Sequence, residues 1–311
     1  MKTKHEKKSL RDCFLSRIAA LEAEGKYSTA ANYTSAMRSF MTFIGDDSFR
    51  IGSLDRSVVE KYNVYLYGRG VVRNTVSFYN RILRAVWNRA VRDGFSDGDQ
   101  AFSDVYTGVD TTVKRSLPLS VLRALVSIDT GDDEELTLSK DLFLFSFYAR
   151  GMSFVDLAYL TRDNIADGRL GYIRRKTGQF LVIGMEPCMK LIIKKYDGMC
   201  FDRYLFPIIT SNDRLTAHKQ YVYKLRRHNL RLKELGRLCG AGDHLNSYAT
   251  RHSWATVAQE SGISLSVISS GLGHSSEKTT RIYLDTLSQH HVDKANQRIL
   301  NKVLSVGELS Y

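Results

Sequence analysis

The chain has 311 residues, 43% hydrophobic and 25% charged, enough apolar surface for a sizeable core and too little polarity for wholesale disorder. Lysine and arginine outnumber the acids 45 to 33, a net charge of +12 that points to a polyanionic partner, nucleic acid before acidic membrane. No apolar run approaches the roughly 20 residues of a membrane span, no apolar segment follows the basic start as a secretory signal needs, and Cys13, Cys188, Cys200 and Cys239 are too scattered for a zinc site or a disulfide framework.

In chain order, residues 1–26 read as a basic lead-in, followed by three amphipathic helices. Thr29 is the expected cap of the first, with Tyr33, Met37, Phe40 and Ile44 on one face and Gly45 as its stop. Asp55 caps the second, which carries Val58, Val59, Tyr62 and Leu66 and ends at Gly68 and Gly70. Asn74 is the expected cap of the third, with Phe78, Ile82, Val86 and Ala90 aligned and Gly94 beyond. This last stretch holds Arg73, Arg81 and Arg84 with no acid interleaved before Asp93, so it reads either as a solvated face or as one that tracks phosphates. Only three prolines occur in the chain, which suits a helical protein.

The pattern breaks up after Asp97, and residues 109–116 read as a linker between a helical domain (27–108) and a second domain (117–311). The second domain opens with helical segments at 119–128 and 139–150. Two β-runs, 171–174 and 180–183, flank a Lys176-Thr177-Gly178 turn and predict a hairpin. Helices resume at 186–195 and, strongly basic, at 218–238, where Val222, Leu225, Leu232 and Leu235 form the expected buried stripe. Lys219, Lys224, Arg226 and Arg227 are among seven basic residues there against the single acid Glu234, a composition that favours DNA contact over simple solvation. The fold class expected is mostly α: a helical N-terminal domain and a mixed α/β, mainly helical second domain with a small sheet. No carboxylate cluster has metal-ligand spacing, so neither a metal nor a cofactor is expected.

The stretch from Asn246 to Thr286 carries the chemistry. It contains Tyr248-Ala-Thr-Arg251-His252-Ser-Trp254-Ala-Thr256, then Leu272-Gly273-His274-Ser275, then Tyr283, nine residues after His274. In order and spacing these boxes resemble the tyrosine recombinase (phage integrase) family, whose catalytic domain carries an H-x-x-R-H box, L-G-H-S and a nucleophilic tyrosine. The Lys176 turn matches the place of that family's catalytic lysine, and the first domain is similar to its core-binding domain, so the resemblance covers the chain from about Tyr27 onward.

What the resemblance implies is strand transfer in DNA. Tyr283 would attack a phosphodiester to give a 3′-phosphotyrosyl link, and Arg251 would hold two non-bridging oxygens with its planar fork. Lys176 would protonate the leaving 5′-oxygen, and His274 would bond the phosphate or assist Tyr283. Two positions depart from the pattern. Tyr248 stands where the first box has histidine; it can donate a hydrogen bond but is a poor base. Ser153, in Gly151-Met152-Ser153-Phe154-Val155-Asp156, stands where the first catalytic arginine is expected. Ser153-x-x-Asp156 also has the form of a helix N-cap. Arg150, three residues earlier, is the expected source of the missing charge, with Ser153 and His252 as phosphate support.

The implied partners are double-stranded DNA with an inverted-repeat site, a homotetramer assembled on it, and an accessory directionality factor, all in the cytoplasm on the nucleoid. A tail after residue 285, with Val292, Ala295, Ile299 and Val303 at helical spacing, would pack into a neighbouring protomer or dock in cis. The short lead-in favours an invertase or resolvase over an integrase with an extra arm-binding domain. Three readings stay open beside this one: a catalytically silent relative that binds DNA, a basic protein that binds RNA or nucleoid through charge alone, and a type IB topoisomerase.

Overall fold

A computed structural model describes residues 8–96, 101–110 and 116–274, together with residues 280 and 296. The chain divides into two compact units, Met1–Thr112 and Val113–Tyr311.

Among the described residues, four α-helices make the first unit. The basic start is not only a lead-in: helix α1 spans Leu10–Ala23 and buries Leu10, Phe14, Ile18 and Leu21, a stripe spaced by fours and a three. Ser9 caps it by accepting the Asp12 amide at 3.0 Å. Helix α2 (Tyr27–Ile44) starts two residues before Thr29, with Lys26 at the cap position, and stops at left-handed Gly45 as its sequence indicates. Helix α3 (Arg56–Gly68) is capped by Asp55, which accepts the Val58 amide at 2.9 Å. Phe40 and Tyr62 meet edge to face, with ring centroids 5.0 Å apart, at the centre of the core.

Helix α4 (Arg73–Arg92) departs from its predicted form in two ways. Its cap position is Val72, not Asn74. Its buried positions take in the expected Ile82, Val86 and Ala90 and add Val76, Ser77, Asn80, Leu83 and Trp87, so the inward face is wider than the expected line, and Phe78 at the head of that line is only partly buried. The polar Asn80 inside that stripe disguises it; its amide donates to Asn63 at 2.8 Å. The Asn74 side chain instead accepts the Asp110 amide at 2.7 Å and donates to the Asp110 carbonyl at 3.0 Å. Ser77 donates to the Gly108 carbonyl at 2.5 Å. Both tie the segment ahead of residue 111 to α4.

In the second unit, α5 spans Leu119–Ser127 and α6 spans Glu134–Tyr148, the latter capped by Asp133. Leu142, Phe143, Leu144 and Phe145 are all buried, so α6 is enclosed on every side. One core gathers around Phe145, Met152, Leu157 and Phe206, and another around Leu125, Phe143, Leu232 and Leu235. Helix α7 (Phe154–Ala158) leads into a three-stranded antiparallel sheet of β1 (Ile165–Ala166), β2 (Arg169–Ile173) and β3 (Phe180–Gly184) in sequential order. The expected hairpin is β2–β3; β1, two residues long, carries no pattern that a sequence reading could catch. The register pairs Leu170 with Ile183 and Tyr172 with Leu181, and Leu170, Tyr172 and Ile183 face the core.

Pro187 opens α8 (Pro187–Lys195) and Asp213 caps α9 (Arg214–Leu238), four residues earlier than expected. Helices α10 (Ala249–Glu260) and α11 (Leu265–Leu272) follow, joined by Ala255, Ala258, Ile268 and Leu272. Among the described residues, no helix is long and apolar enough to cross a membrane.

Candidate active site

Helix α10 carries Arg251 and His252 on its buried side, both only 4% exposed. A guanidinium so enclosed needs acceptors. Arg251 donates to the Gly151 carbonyl at 3.3 Å and to the Leu272 carbonyl, and its terminal nitrogen lies 2.9 Å from His274 Nε2. Guanidinium nitrogens only donate, so His274 Nε2 is the acceptor. The ring proton then sits on Nδ1 and is given to Thr280 Oγ1 at 2.8 Å. Arg251, His274 and Thr280 thus form one hydrogen-bonded line. Tyr283, three residues beyond Thr280, and the tail after 285 lie outside the described residues.

Two glycines make this arrangement fit. A Cβ on Gly151 would sit 2.4 Å from Arg251 Cα, so the α10 backbone can approach only because none is there; its φ of +70° is also a glycine conformation. Gly273, at φ +62°, ends α11 in the left-handed region and turns the chain so that His274 meets Arg251.

Arg150, next to Gly151, also has positive φ (+58°) although it carries a side chain. Such a backbone is sparsely populated, and is held here by the packing of its neighbours. Its side chain is partly buried. Tyr172, on the inward face of β2, shows what lies near: burial pushes its phenol up to about 12, Asp156 adds to the rise, and Arg251, Arg174 and Arg150 oppose it. The charges of three arginines therefore bear on one buried phenol.

Arg174 is the residue that sequence reasoning missed. It is 7% exposed and donates to the Gly273 carbonyl at 2.8 Å, which ties the hairpin to the turn carrying His274. In sequence it is one of three consecutive cations, Arg174-Arg175-Lys176. Only its place at the end of β2, one residue after outward-facing Ile173, could have marked it as inward-pointing.

Lys176 is exposed on the turn. The Arg174 carbonyl accepts the Gly178 amide at 2.8 Å, and left-handed Gly178 (φ +71°) lets the chain reverse. Ser153 is the N-cap of α7, receiving the Asp156 amide at 3.4 Å, and its hydroxyl donates to Asp156 Oδ2 at 2.6 Å. In this arrangement the Ser153 hydroxyl proton is engaged by a carboxylate. Tyr248, half exposed at the start of α10, sets its ring edge on His252, centroids 4.7 Å apart.

The basic candidates divide by partner. Arg73 stacks on the Tyr106 ring at 3.9 Å and pairs with Asp110 at 3.5 Å, while Arg81 and Arg84 are exposed on α4. On α9, Arg227 makes a two-pronged bond with Glu135 of α6, and Arg231 joins Glu135, Asp133 and Glu234. Lys219 and Arg226 are exposed and Lys224 partly so. Among the described residues, no group of three His, Cys, Asp or Glu could hold a metal ion.

Set against known proteins, the chain matches the phage integrase SAM-like domain over residues 9–103 and the phage integrase family over residues 121–290. It is 25% identical to the tyrosine recombinase XerC of Mycobacterium bovis over 274 residues, 85% of this chain and 90% of that one. Its fold is similar to that of the Tn1549 transposon integrase in complex with a circular intermediate DNA, with a TM-score of 0.62 at 15% identity over 93% of this chain and 99% of that one. It is also similar to the lambda integrase tetramer bound to a Holliday junction, with a TM-score of 0.60 at 17% identity over 87% and 76% of the two chains. A catalytic-domain match over more than half the chain, preceded by its usual helical companion, leaves one conclusion: the chain belongs to the phage integrase family, the tyrosine recombinases.

Proposed function

We propose that this protein is a site-specific DNA recombinase that cuts and rejoins strands through a phosphotyrosyl intermediate. The observation that carries the reading is the Arg251–His274 pair, a buried cation and an imidazole held together by the carbonyls of Gly151 and Leu272. A preorganised guanidinium of this kind stabilises the charge that develops on a phosphate in transfer, because it needs no reorganisation when that charge forms.

The Tyr283 phenol gives up its proton to water, with His274 assisting, as its oxygen bonds to phosphorus and the bond to the 5′-oxygen breaks, leaving the 3′ phosphate on the enzyme. Lys176 supplies the proton that the 5′-oxygen takes up, and religation runs the same steps backwards. Arg251 holds the non-bridging oxygens. Arg150 and Arg174 add the positive charge that Ser153 cannot supply, with Ser153, His252 and Tyr248 in supporting positions. Arg73, Arg81, Arg84, Lys219, Lys224 and Arg226 contact DNA phosphates, and Arg227, held by Glu135, adds little to that contact. Four protomers act on two inverted-repeat sites through a Holliday junction, as a simple invertase, resolvase or mobile-element integrase working with an accessory factor. Support for that assembly comes from the fold shared with the lambda integrase tetramer on its junction.

Covalent capture tests the reading. Wild-type protein and Tyr283→Phe are incubated with fragmented genomic DNA and denatured in detergent, and the attached DNA is sequenced. Adducts in wild type alone, enriched for one sequence, are expected. Sequence-specific binding without an adduct in either protein would instead mean a silent DNA-binding relative.

A further inference from the structure

The hairpin tip carries three cations in a row, and the first two are held by the scaffold. Arg174 donates to the Gly273 carbonyl at 2.8 Å. The Arg175 guanidinium lies over the Tyr159 ring, 3.6 Å from its centroid, and the Arg175 amide donates to Asp156 Oδ1 at 2.8 Å across 19 residues of sequence. Lys176, the third, is exposed.

Asp156 is placed unusually for a residue in the first turn of a helix. In an ordinary capping box the acidic side chain reaches back to the backbone N–H of the cap residue. Here Oδ2 takes the Ser153 hydroxyl at 2.6 Å, and Oδ1 turns away from α7 to bind the hairpin backbone one residue before Lys176. The carboxylate is 5% exposed. A buried carboxylate that spans two elements fixes their spacing tightly, because each oxygen left without its donor would be costly.

We infer that Asp156 is a positioning residue for Lys176: with Ser153 behind it, it sets where the turn presents the lysine ammonium. The inference rests on the proposed reaction, in which Lys176 protonates the leaving oxygen. It assigns the Ser153–Asp156 pair to proton delivery rather than to phosphate binding. Arg174 fixes the same turn to the loop of His274, so proton donor and phosphate site share one frame.

A leaving group that needs no proton separates these roles. Duplex DNA bearing the captured site is made with either the normal 5′-oxygen or a 5′-bridging sulfur at the scissile phosphate. Adduct formation is timed for wild type, Lys176→Ala, Asp156→Ala, Asp156→Asn and Arg251→Lys. On normal DNA, Asp156→Ala should lose about 10²-fold, in the range of a lost general acid. On the sulfur substrate it should come within a few fold of wild type, as should Lys176→Ala. Asp156→Asn, which keeps an oxygen for the Arg175 amide, should lose less, and Arg251→Lys should stay impaired on both substrates.

An equal loss by Asp156→Ala on both substrates, with Lys176→Ala rescued, would overturn the positioning role while leaving the reaction intact. No rescue of Lys176→Ala would overturn it by removing the lysine as acid. No wild-type adduct on either substrate would overturn the reading and this inference together. If thermal melts show Asp156→Ala to be unfolded, Asp156→Asn and Ser153→Ala carry the same comparison.

Discussion

The two halves of the site are held by different means. The Arg251–His274 half is buried, built on α10 and α11 and closed by backbone carbonyls at Gly151 and Leu272. The Lys176 half sits on an exposed turn and is tethered rather than enclosed, by Asp156, by Tyr159 and by the Arg174 bond to Gly273. Charge that must stabilise a developing phosphorane benefits from a fixed, dry setting. A proton donor must reach the leaving oxygen and regain its proton from solvent, so an exposed tip on a located base serves it better.

The strongest way to break this comparison is at the enclosed half. Arg251→Ala should lower adduct formation by about 10²–10³-fold or more while leaving DNA affinity nearly intact, by analogy with removing one transition-state donor. Equal losses in binding and cleavage would mean that Arg251 serves ground-state binding instead. Gly151→Ala reaches the same half indirectly. Its methyl would collide with the Arg251 backbone, so α10 must shift; a loss of about 1–3 kcal/mol of stability is expected from overpacking, along with impaired cleavage. Unchanged melting and unchanged cleavage would show that the approach of the two segments is not what seats Arg251.

Acid should loosen the tethered half. His228 of α9 is buried and stacks on Phe154 at 4.6 Å, the first residue of the helix that holds the hairpin. Burial lowers its pKa to about 3, so the folded imidazole stays neutral while the unfolded one, with a pKa of about 6.5, takes a proton as pH falls. Below about 6.5 the unfolded state binds more protons. Stability is therefore full above that value and is lost at up to ~1.4 kcal/mol per pH unit as pH falls towards about 3. Hydrogen exchange at pH 7 and pH 5 should show β2, β3 and α7 losing more protection than α10, and His228→Leu should remove the difference. Uniform loss across the second unit would erase the distinction between the halves.

The two halves were also unequally legible in the sequence. The order and spacing of Arg251, His274 and Tyr283 are contiguous signals, each box spanning only a few residues of sequence. The hairpin, too, was visible from its β-runs and its Lys176-Thr177-Gly178 turn. The tether was not. Asp156 and Arg175 meet across 19 residues, Arg174 and Gly273 across 99, and nothing in Arg174-Arg175-Lys176 says which cation faces inward. Elsewhere α1 was hidden because its basic surroundings outweighed the Leu10, Phe14, Ile18, Leu21 stripe. The breadth of the α4 inward face was hidden because Asn80 interrupts the apolar line with a polar side chain whose amide finds its acceptor, Asn63, only in the folded core. Local periodicity and capping fix most helices; long-range polar pairs, which decide the details of a site, leave no periodic trace.

The smallest effect expected sharpens the comparison on α9, where engaged and exposed cations share one helix. Arg227 is bound by Glu135 and Arg231 by three acids, which leaves Lys219 and Arg226 as exposed charges on the same element. An exposed cation that contacts a phosphate releases a counterion, so Arg226→Ala should reduce the slope of log affinity against log salt by about 0.9, for any DNA sequence. Arg227→Ala should leave that slope nearly unchanged and act on stability instead, because it removes the two-pronged bond and leaves Glu135 with Arg231 alone. Glu135→Gln supplies the third arm: it frees Arg227 and should steepen the salt dependence, if only the ion pair withholds that arginine from DNA. A steeper loss of slope from Arg227→Ala than from Arg226→Ala would mean that the Glu135 pair opens on DNA and that both arginines serve as phosphate contacts.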